Sequence, residues 1–308
     1  MIKRVLGFNN PAYLSLKNGQ MVVTLPDIVN DTNMTEAMRA QGVHTLPIED
    51  IGVIVLDHKQ ITITAALMAF LLENNVAIIN CNDQHLPVGL LLPLDGNNLQ
   101  NERFRQQIDA SEPLKKQMWQ QTVSSKIAGQ AQVLALQGVE NGNMVVWSKQ
   151  VRSGDPDNLE ARAAAYYWRN VFHKPDFIRG QEGDPPNNLL NYGYAIVRAM
   201  MARALVAAGV LPTLGIHHHN KYNAYCLADD IMEPYRPYVD RLVYEITEQY
   251  GVDVELSKDI KAELLSIPTL DVVVGGKRSP LMVAASQTTA SLYKCYSGEL
   301  RKIVYPEI

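Results

Sequence analysis

Three segments of this 308-residue chain carry side chains whose types and spacing suit them to chemistry. The first reads Asp157-Asn-Leu-Glu160-Ala-Arg-Ala-Ala-Ala-Tyr-Tyr-Trp168. From Leu159 onward it is apolar nearly all round, as a helix inside a core is. A carboxylate on such an element is costly unless it is paired, capped or bound to a metal. Ala163 and Ala164, one turn on, leave room beside Glu160 for another element. The alternative is a capping box from Asp157 to Glu160, with Glu160 bonding back to the helix start. The second segment reads Leu214-Gly-Ile-His217-His218-His219-Asn220-Lys-Tyr-Asn223. Three consecutive histidines cannot all face one point on a regular element. One is expected as a ligand or proton carrier, its neighbours pointing elsewhere. A solvated loop with a structural histidine is the alternative. The third segment reads Ala228-Asp229-Asp230-Ile-Met-Glu233-Pro234-Tyr-Arg236-Pro237. Asp230 and Glu233 are three apart and share a face of a helical turn. Pro234 sets Glu233 at a break or kink. Acidic residues beside a proline are ordinary surface features, but two carboxylates near an arginine also match a divalent cation and a phosphate.

Taken together, two carboxylates and an imidazole from separate elements make a hard, mixed oxygen and nitrogen site. That chemistry suits Mg²⁺ or Mn²⁺ with open positions for water and phosphate oxygens. It does not suit structural zinc, which prefers thiolates and a closed shell. The chain has no phosphate-cradling glycine loop and no G-x-S-x-G elbow, so NTP hydrolysis and serine-hydrolase chemistry have no support.

The elements that must position these residues fall into two groups. Residues 13–16 and 21–24 flank Asn18-Gly19, a strong hairpin signal. Residues 51–56 (IGVIVL) predict a buried strand, 62–73 a helix, and 76–79 and 88–92 two further strands, the last bounded by Pro87 and Pro93. The best linker is 94–101 (LDGNNLQN). Beyond it, 101–137, 158–172, 188–208, 238–250 and 279–297 predict helices, with Gly209 and Pro212 closing the 188–208 helix before the histidines. The expected fold is α+β. A small β-rich amino-terminal domain spans 1–95, and a larger, mainly α-helical domain spans 96–308.

Apolar residues make up 47% of the chain, enough for two cores, and the 19% charged fraction argues against a disordered scaffold. The opening MIKRVLGFNN shows no secretory h-region. The apolar stretch 189–210 is interrupted by Asn191, Arg198 and Arg203, which predicts a core helix rather than a membrane span. Cys81, Cys226 and Cys295 are too far apart for a disulfide framework. A cytoplasmic chain without membrane contact is expected. The net charge of −4 is shared evenly, with 11 basic against 13 acidic residues in 1–150 and 17 against 19 in 151–308. A protein holding duplex DNA on a continuous basic face is usually more basic.

Five stretches carry a family resemblance: NLEARAAAYYW, LNYGYAIVRA, LGIHHHNKYNAYCLADDIMEPYRP, VVGGKRSPL and, amino-terminally, NNVAIINCNDQHLPVGLLLP. In these and their order the chain resembles the larger CRISPR-associated adaptation protein, the integrase that inserts spacers into a CRISPR array. The histidine and acidic segments look most like type II versions. The resemblance implies metal ligands at Glu160, His218 and Glu233. His218 is preferred to His217 by its place in the Gly-Ile-x-His string, and Asp230 matches a further acidic position that lies at the metal in some relatives. It also implies homodimers through the amino-terminal domain, two of them bridged by a small CRISPR adaptation protein that shares the phosphate contacts. The implied reaction is attack of a protospacer 3′-hydroxyl on a phosphodiester at the edge of a CRISPR repeat. A general structure-selective metal-dependent DNA nuclease, and a non-catalytic scaffold in which Glu160 is only a cap, are the competing functions. Fourteen tyrosines also raise a covalent tyrosine-recombinase route, which a metal mechanism would exclude.

Overall fold

The computed structural model of the protein describes residues 3–307 apart from 84, 175, 181 and 182. Gln84 of the amino-terminal pattern, and Met1 and Ile2 of the opening stretch, thus lie outside the described residues. Two units divide the chain, Met1–Gly96 and Asn97–Ile308.

The first unit holds strands β1 (Arg4–Phe8), β2 (Ala12–Lys17) and β3 (Gln20–Thr24), short helices α1 (Pro26–Val29) and α2 (Glu36–Ala40), then β4 (Val43–Pro47). β5 (Ile51–Leu56), β6 (Ile61–Ile63), α3 (Ala65–Glu73), β7 (Ala77–Cys81) and β8 (Pro87–Leu91) follow. One sheet has the order β1-β5-β7-β8, with β1, β5 and β7 parallel and β8 antiparallel to β7. The other has the order β4-β3-β2-β6. Asn18 and Gly19 take φ of 52° and 72°, the left-handed pair that a two-residue hairpin between β2 and β3 requires. Leu14, Met21 and Val23 of one sheet, Ile51, Ile54 and Ile78 of the other, and Leu67 and Leu71 of α3 form one core. The helix expected over 62–73 begins only at Ala65. Thr64 caps it through a bond from Leu67 N, while the β-branched Ile61–Ile63 pair with β2 as a parallel strand.

The second unit holds α4 (Gln100–Ile108), α5 (Glu112–Leu136), α6 (Gly142–Gln150), α7 (Leu159–Asn170), α8 (Asn187–Ala207), α9 (Cys226–Met232) and α10 (Arg236–Tyr250). It ends with α11 (Lys258–Leu264), the hairpin β9 (Asp271–Val274) and β10 (Lys277–Pro280), which the sequence reading missed, and α12 (Leu281–Tyr296). The single helix expected over 101–137 is two, because Ser111 caps a new one by accepting from Leu114 N, with Pro113 in its first turn. α8 is buried on most of its surface. Its Arg198 is satisfied by a two-point pair with Asp229, at 2.6 and 3.0 Å. Among the described residues no helix is long and apolar enough to cross a membrane. The chain is thus strand-rich first and helical after.

Candidate metal centre

α5 forms the floor of the site. Trp119, Lys126 and Gln130 fall on one face of it, two turns and then one turn apart. Lys126 is the one charged residue between Lys116 and Glu140, and its side chain is only 12% exposed. Its Nζ lies 2.7 Å from Glu160 Oε1 and 2.5 Å from Glu233 Oε2. Two carboxylates from separate elements thus share one ammonium. Burial opposes the charge on Lys126, but Glu233 and then Glu160 outweigh it and raise its pKa.

Glu160 sits in the first turn of α7. That turn is capped by Asp155, whose two oxygens accept from Leu159 N and Glu160 N at 3.0 Å each. Asp157 instead forms a two-point pair with Arg152. The capping box from Asp157 to Glu160 therefore does not form, and the Glu160 carboxylate goes to Lys126. Glu233 opens the one-turn 3-10 helix Glu233–Tyr235 between α9 and α10, where Pro234 interrupts α-helical bonding. Arg236 Nε donates to Glu233 Oε1 at 2.8 Å. Burial would raise the Glu233 carboxyl, but Arg236 and then Lys126 hold it down at about 2.

The three histidines part company. His217 lies flat on Trp119, with ring centroids 4.1 Å apart and planes within 1°. Burial and the neighbouring His218 lower its pKa. His219 Nδ1 turns back to the His218 carbonyl at 2.9 Å. His218 bonds through Nδ1 to Asp230 Oδ1, and this bond above all raises its pKa, with Glu233 and Glu160 adding to the effect. Its side chain is about half exposed, and with Nδ1 committed, Nε2 is the nitrogen left for a ligand. Asp230 is fully buried. Its Oδ2 accepts from Ile216 N at 2.7 Å and His217 N at 2.9 Å, and its Oδ1 from His218 N at 3.3 Å. Asp230 thus binds the histidine loop rather than facing Lys126. The loop closes so tightly that a Cβ at Gly215 would strike the His218 carbonyl oxygen and come within 2.8 Å of Asp230 Oδ2.

Two clefts flank these groups. One of about 160 Å³ is lined by Lys126, Gln130, Arg179, Glu233, Arg236 and Asp240, among others. In it Asp240 is buried under hydrogen bonds from the hydroxyls of Tyr167, at 3.0 Å, and Tyr194. Burial raises its carboxyl to about 6. Arg236 lies over the Tyr194 ring at 4.4 Å and Arg179 at 5.1 Å. The other cleft, about 520 Å³, is lined by Lys115, Lys221, His218 and His219 and by no carboxylate among its described residues. Among the described residues no three acidic, histidine or cysteine side chains converge as a metal cluster. The Lys126 ammonium stands between two of the three expected ligands. Sequence reasoning missed Lys126, Trp119, Asp155 and Asp240. For Lys126 a signal existed, since the one charge in the otherwise uncharged stretch of α5 after Lys116 needs a partner.

The family model described as CRISPR associated protein Cas1 matches residues 8–261. The CRISPR-associated endonuclease Cas1 of Neisseria meningitidis serogroup C (strain 8013) is 40% identical over 272 residues, 86% of this chain and 88% of that protein. A casposase bound to integration product matches with a TM-score of 0.77 at 18% identity, over 98% of this chain and 92% of the other. A Cas6-RT-Cas1–Cas2 complex matches with a TM-score of 0.73 at 18% identity, over 100% of this chain and 37% of the matched one. At that identity the two structures speak to the fold alone.

Proposed function

Because this chain belongs to the Cas1 family of CRISPR-associated proteins, we propose that it is a metal-dependent DNA endonuclease and integrase that inserts protospacer DNA into a CRISPR array. The observation that carries the reading is the meeting of Glu160 and Glu233 at one cation, beside a histidine whose ring is steered by a buried carboxylate. Two carboxylates and one imidazole nitrogen fit Mg²⁺ or Mn²⁺, and Glu160, His218 and Glu233 would hold the ion. When bound, such an ion lowers the pKa of a hydroxyl and offsets charge developing on phosphate oxygens. Asp230 keeps a proton on His218 Nδ1 and so fixes which nitrogen faces a ligand. Arg236 keeps Glu233 ionised at neutral pH. With both of its oxygens bonded to the 216–218 loop, Asp230 serves as an orienting residue rather than a ligand.

In the proposed reaction the oxygen of a protospacer 3′-hydroxyl bonds to phosphorus at a repeat edge. The bond from phosphorus to the 3′ oxygen of the flanking nucleotide breaks, the attacking hydroxyl gives up its proton, the displaced 3′ oxygen leaves with one, and no bond to the protein forms. The cleft beside His218, with Lys115 and Lys221 and no carboxylate among its described residues, supports phosphate binding despite the net charge of −4. Residues 1–95 would mediate homodimerisation, and 96–308 would carry metal and DNA. A small CRISPR adaptation protein would bridge two dimers, as the family resemblance implies; one solved structure of like fold is a Cas6-RT-Cas1–Cas2 complex.

The test is integration of a labelled protospacer duplex into a repeat-bearing plasmid with the small adaptation protein and Mg²⁺ or Mn²⁺. Joined products at repeat edges are expected, with none in excess chelator and no protein–DNA adduct after denaturation. Cleavage without joining would favour the general structure-selective nuclease, which the endonuclease name of the Neisseria relative keeps in view.

A further inference from the structure

The cation between Glu160 and Glu233 is the chain's own, the Lys126 ammonium at 2.7 and 2.5 Å. We propose that Lys126 is a resident placeholder: it holds the two carboxylates together without metal, is displaced by a divalent cation, and then binds substrate phosphate, so that metal and DNA binding depend on each other. The inference rests on the metal reading of this site.

Charge balance carries it. Glu160 and Glu233 bring two negative charges, and Lys126 and Arg236 bring two positive ones, in a closed neutral cluster. A divalent cation entering with the ammonium in place would meet like charge at contact distance, where little water screens it. One of the two resident cations must therefore withdraw. Arg236 is tied down: it donates to Glu233 Oε1 at 2.8 Å, lies 4.4 Å over the Tyr194 ring and begins α10. Among the described residues the Lys126 ammonium is held by its two ion contacts, on a flexible four-carbon stem that ends in a compact charge. The cleft of about 160 Å³ that it shares with Gln130, Arg179 and Arg236 gives the ammonium somewhere to go. After the exchange the cluster holds an excess of positive charge, and Lys126, Arg179 and Arg236 line that cleft against the carboxylates of Glu233 and Asp240. A phosphodiester is the anion that a DNA-joining site would bring there. It restores the balance, and linkage requires that DNA tighten metal binding by the same factor that metal tightens DNA binding. Without Lys126 the ion would displace nothing and leave less charge for DNA to offset.

The experiment measures Mn²⁺ binding by electron paramagnetic resonance on the full chain, with and without a short DNA duplex. It uses wild type, Lys126→Met, Lys126→Gln and Glu233→Gln, with melting curves on each. The wild type is expected to bind Mn²⁺ weakly alone and about tenfold more tightly with DNA. Lys126→Met and Lys126→Gln are expected to bind Mn²⁺ about tenfold more tightly alone and to lose most of the gain from DNA. Their metal-free melting temperature should fall and Mn²⁺ should restore it. Unchanged Mn²⁺ affinity in both variants, or an undiminished gain from DNA, overturns the placeholder role while leaving the metal site standing. Should both variants fail to fold, wild-type binding that DNA does not tighten overturns it too. Absence of Mn²⁺ binding by wild type, unaltered by Glu233→Gln, overturns the metal reading and this inference with it.

Discussion

His217, His218 and His219 occupy three environments: flat on Trp119, bonded to Asp230, and turned back on a carbonyl. A ring stacked at 4.1 Å serves packing, whereas a ring held at Nδ1 by a carboxylate is set up to present Nε2. Glu160→Ala, His218→Ala and Glu233→Ala are therefore each expected to lower strand transfer at least about a hundredfold while the protein stays folded. His217→Ala and His219→Ala should be milder, as read by integration rate and circular dichroism. An inactive His217→Ala beside an active His218→Ala would reverse the ligand assignment. Asp230→Asn sets an amide against backbone N–H groups and the His218 ring nitrogen. It should weaken Mn²⁺ binding about 10- to 100-fold and lower the melting temperature. Unchanged Mn²⁺ affinity in that variant would remove the orienting role.

At the scale of elements, the site depends on breaks as much as on helices. Ser111 restarts α5 so that its floor face carries Trp119, Lys126 and Gln130. Asp155 caps α7 and frees Glu160, and Pro234 turns the chain so that Glu233 meets α5. α10 adds Asp240, whose carboxyl is raised by burial from 3.8 to about 6. A raised carboxyl binds its proton more tightly folded than unfolded, so stability from this group falls as pH rises from about 4 to about 6. Asp240→Asn should flatten unfolding free energy across that window, by on the order of 3 kcal/mol. Denaturant titrations at pH 4, 5, 6 and 7 check this, and an unaltered pH slope would exclude it. Glu233 has the opposite sign. Held at about 2 against 4.5, it contributes stability that is lost as pH falls from about 4.5 towards 2.

For the whole molecule the question is how a chain of net charge −4 holds DNA. Lys115 and Lys221 beside His218 supply local positive charge, but few contacts to phosphate give weak, salt-sensitive binding. The chain alone should bind duplex DNA weakly and release it as salt rises. Adding the small adaptation protein should raise affinity by joining several weak contacts, a gain in effective concentration rather than in base readout. Site choice at a repeat should sharpen as well, because the proposed bridged assembly would set two active sites at a fixed separation that measures a length. Binding and integration at matched salt, with and without that partner, give the answer. Equal affinity and selectivity in both would mean the chain acts alone.

The amino-acid sequence by itself determined the hairpin at Asn18-Gly19, the strand at Ile51–Leu56, the helix that bears Glu160, the order of strand-rich before helical, and the family. The family was legible through the resemblance of five motif stretches; the rest follows from turn chemistry, composition and periodicity, which act over about a dozen neighbouring residues. It did not reveal the strand Ile61–Ile63, too short to show a period, or the restart at Ser111, hidden inside one helical pattern. Residue types and spacing alone left the three histidines open, the preference for His218 coming from the family resemblance, and they could not find the orienting bond of Asp230, because it joins residues twelve apart across a loop. Lys126 lies 34 residues from Glu160 and farther still from Glu233. Only the packing of α5 against α7 and the turn after α9 brings that ammonium between the two carboxylates. Such a meeting has no local signature, because what selects it is the cost of burying each charge without the others.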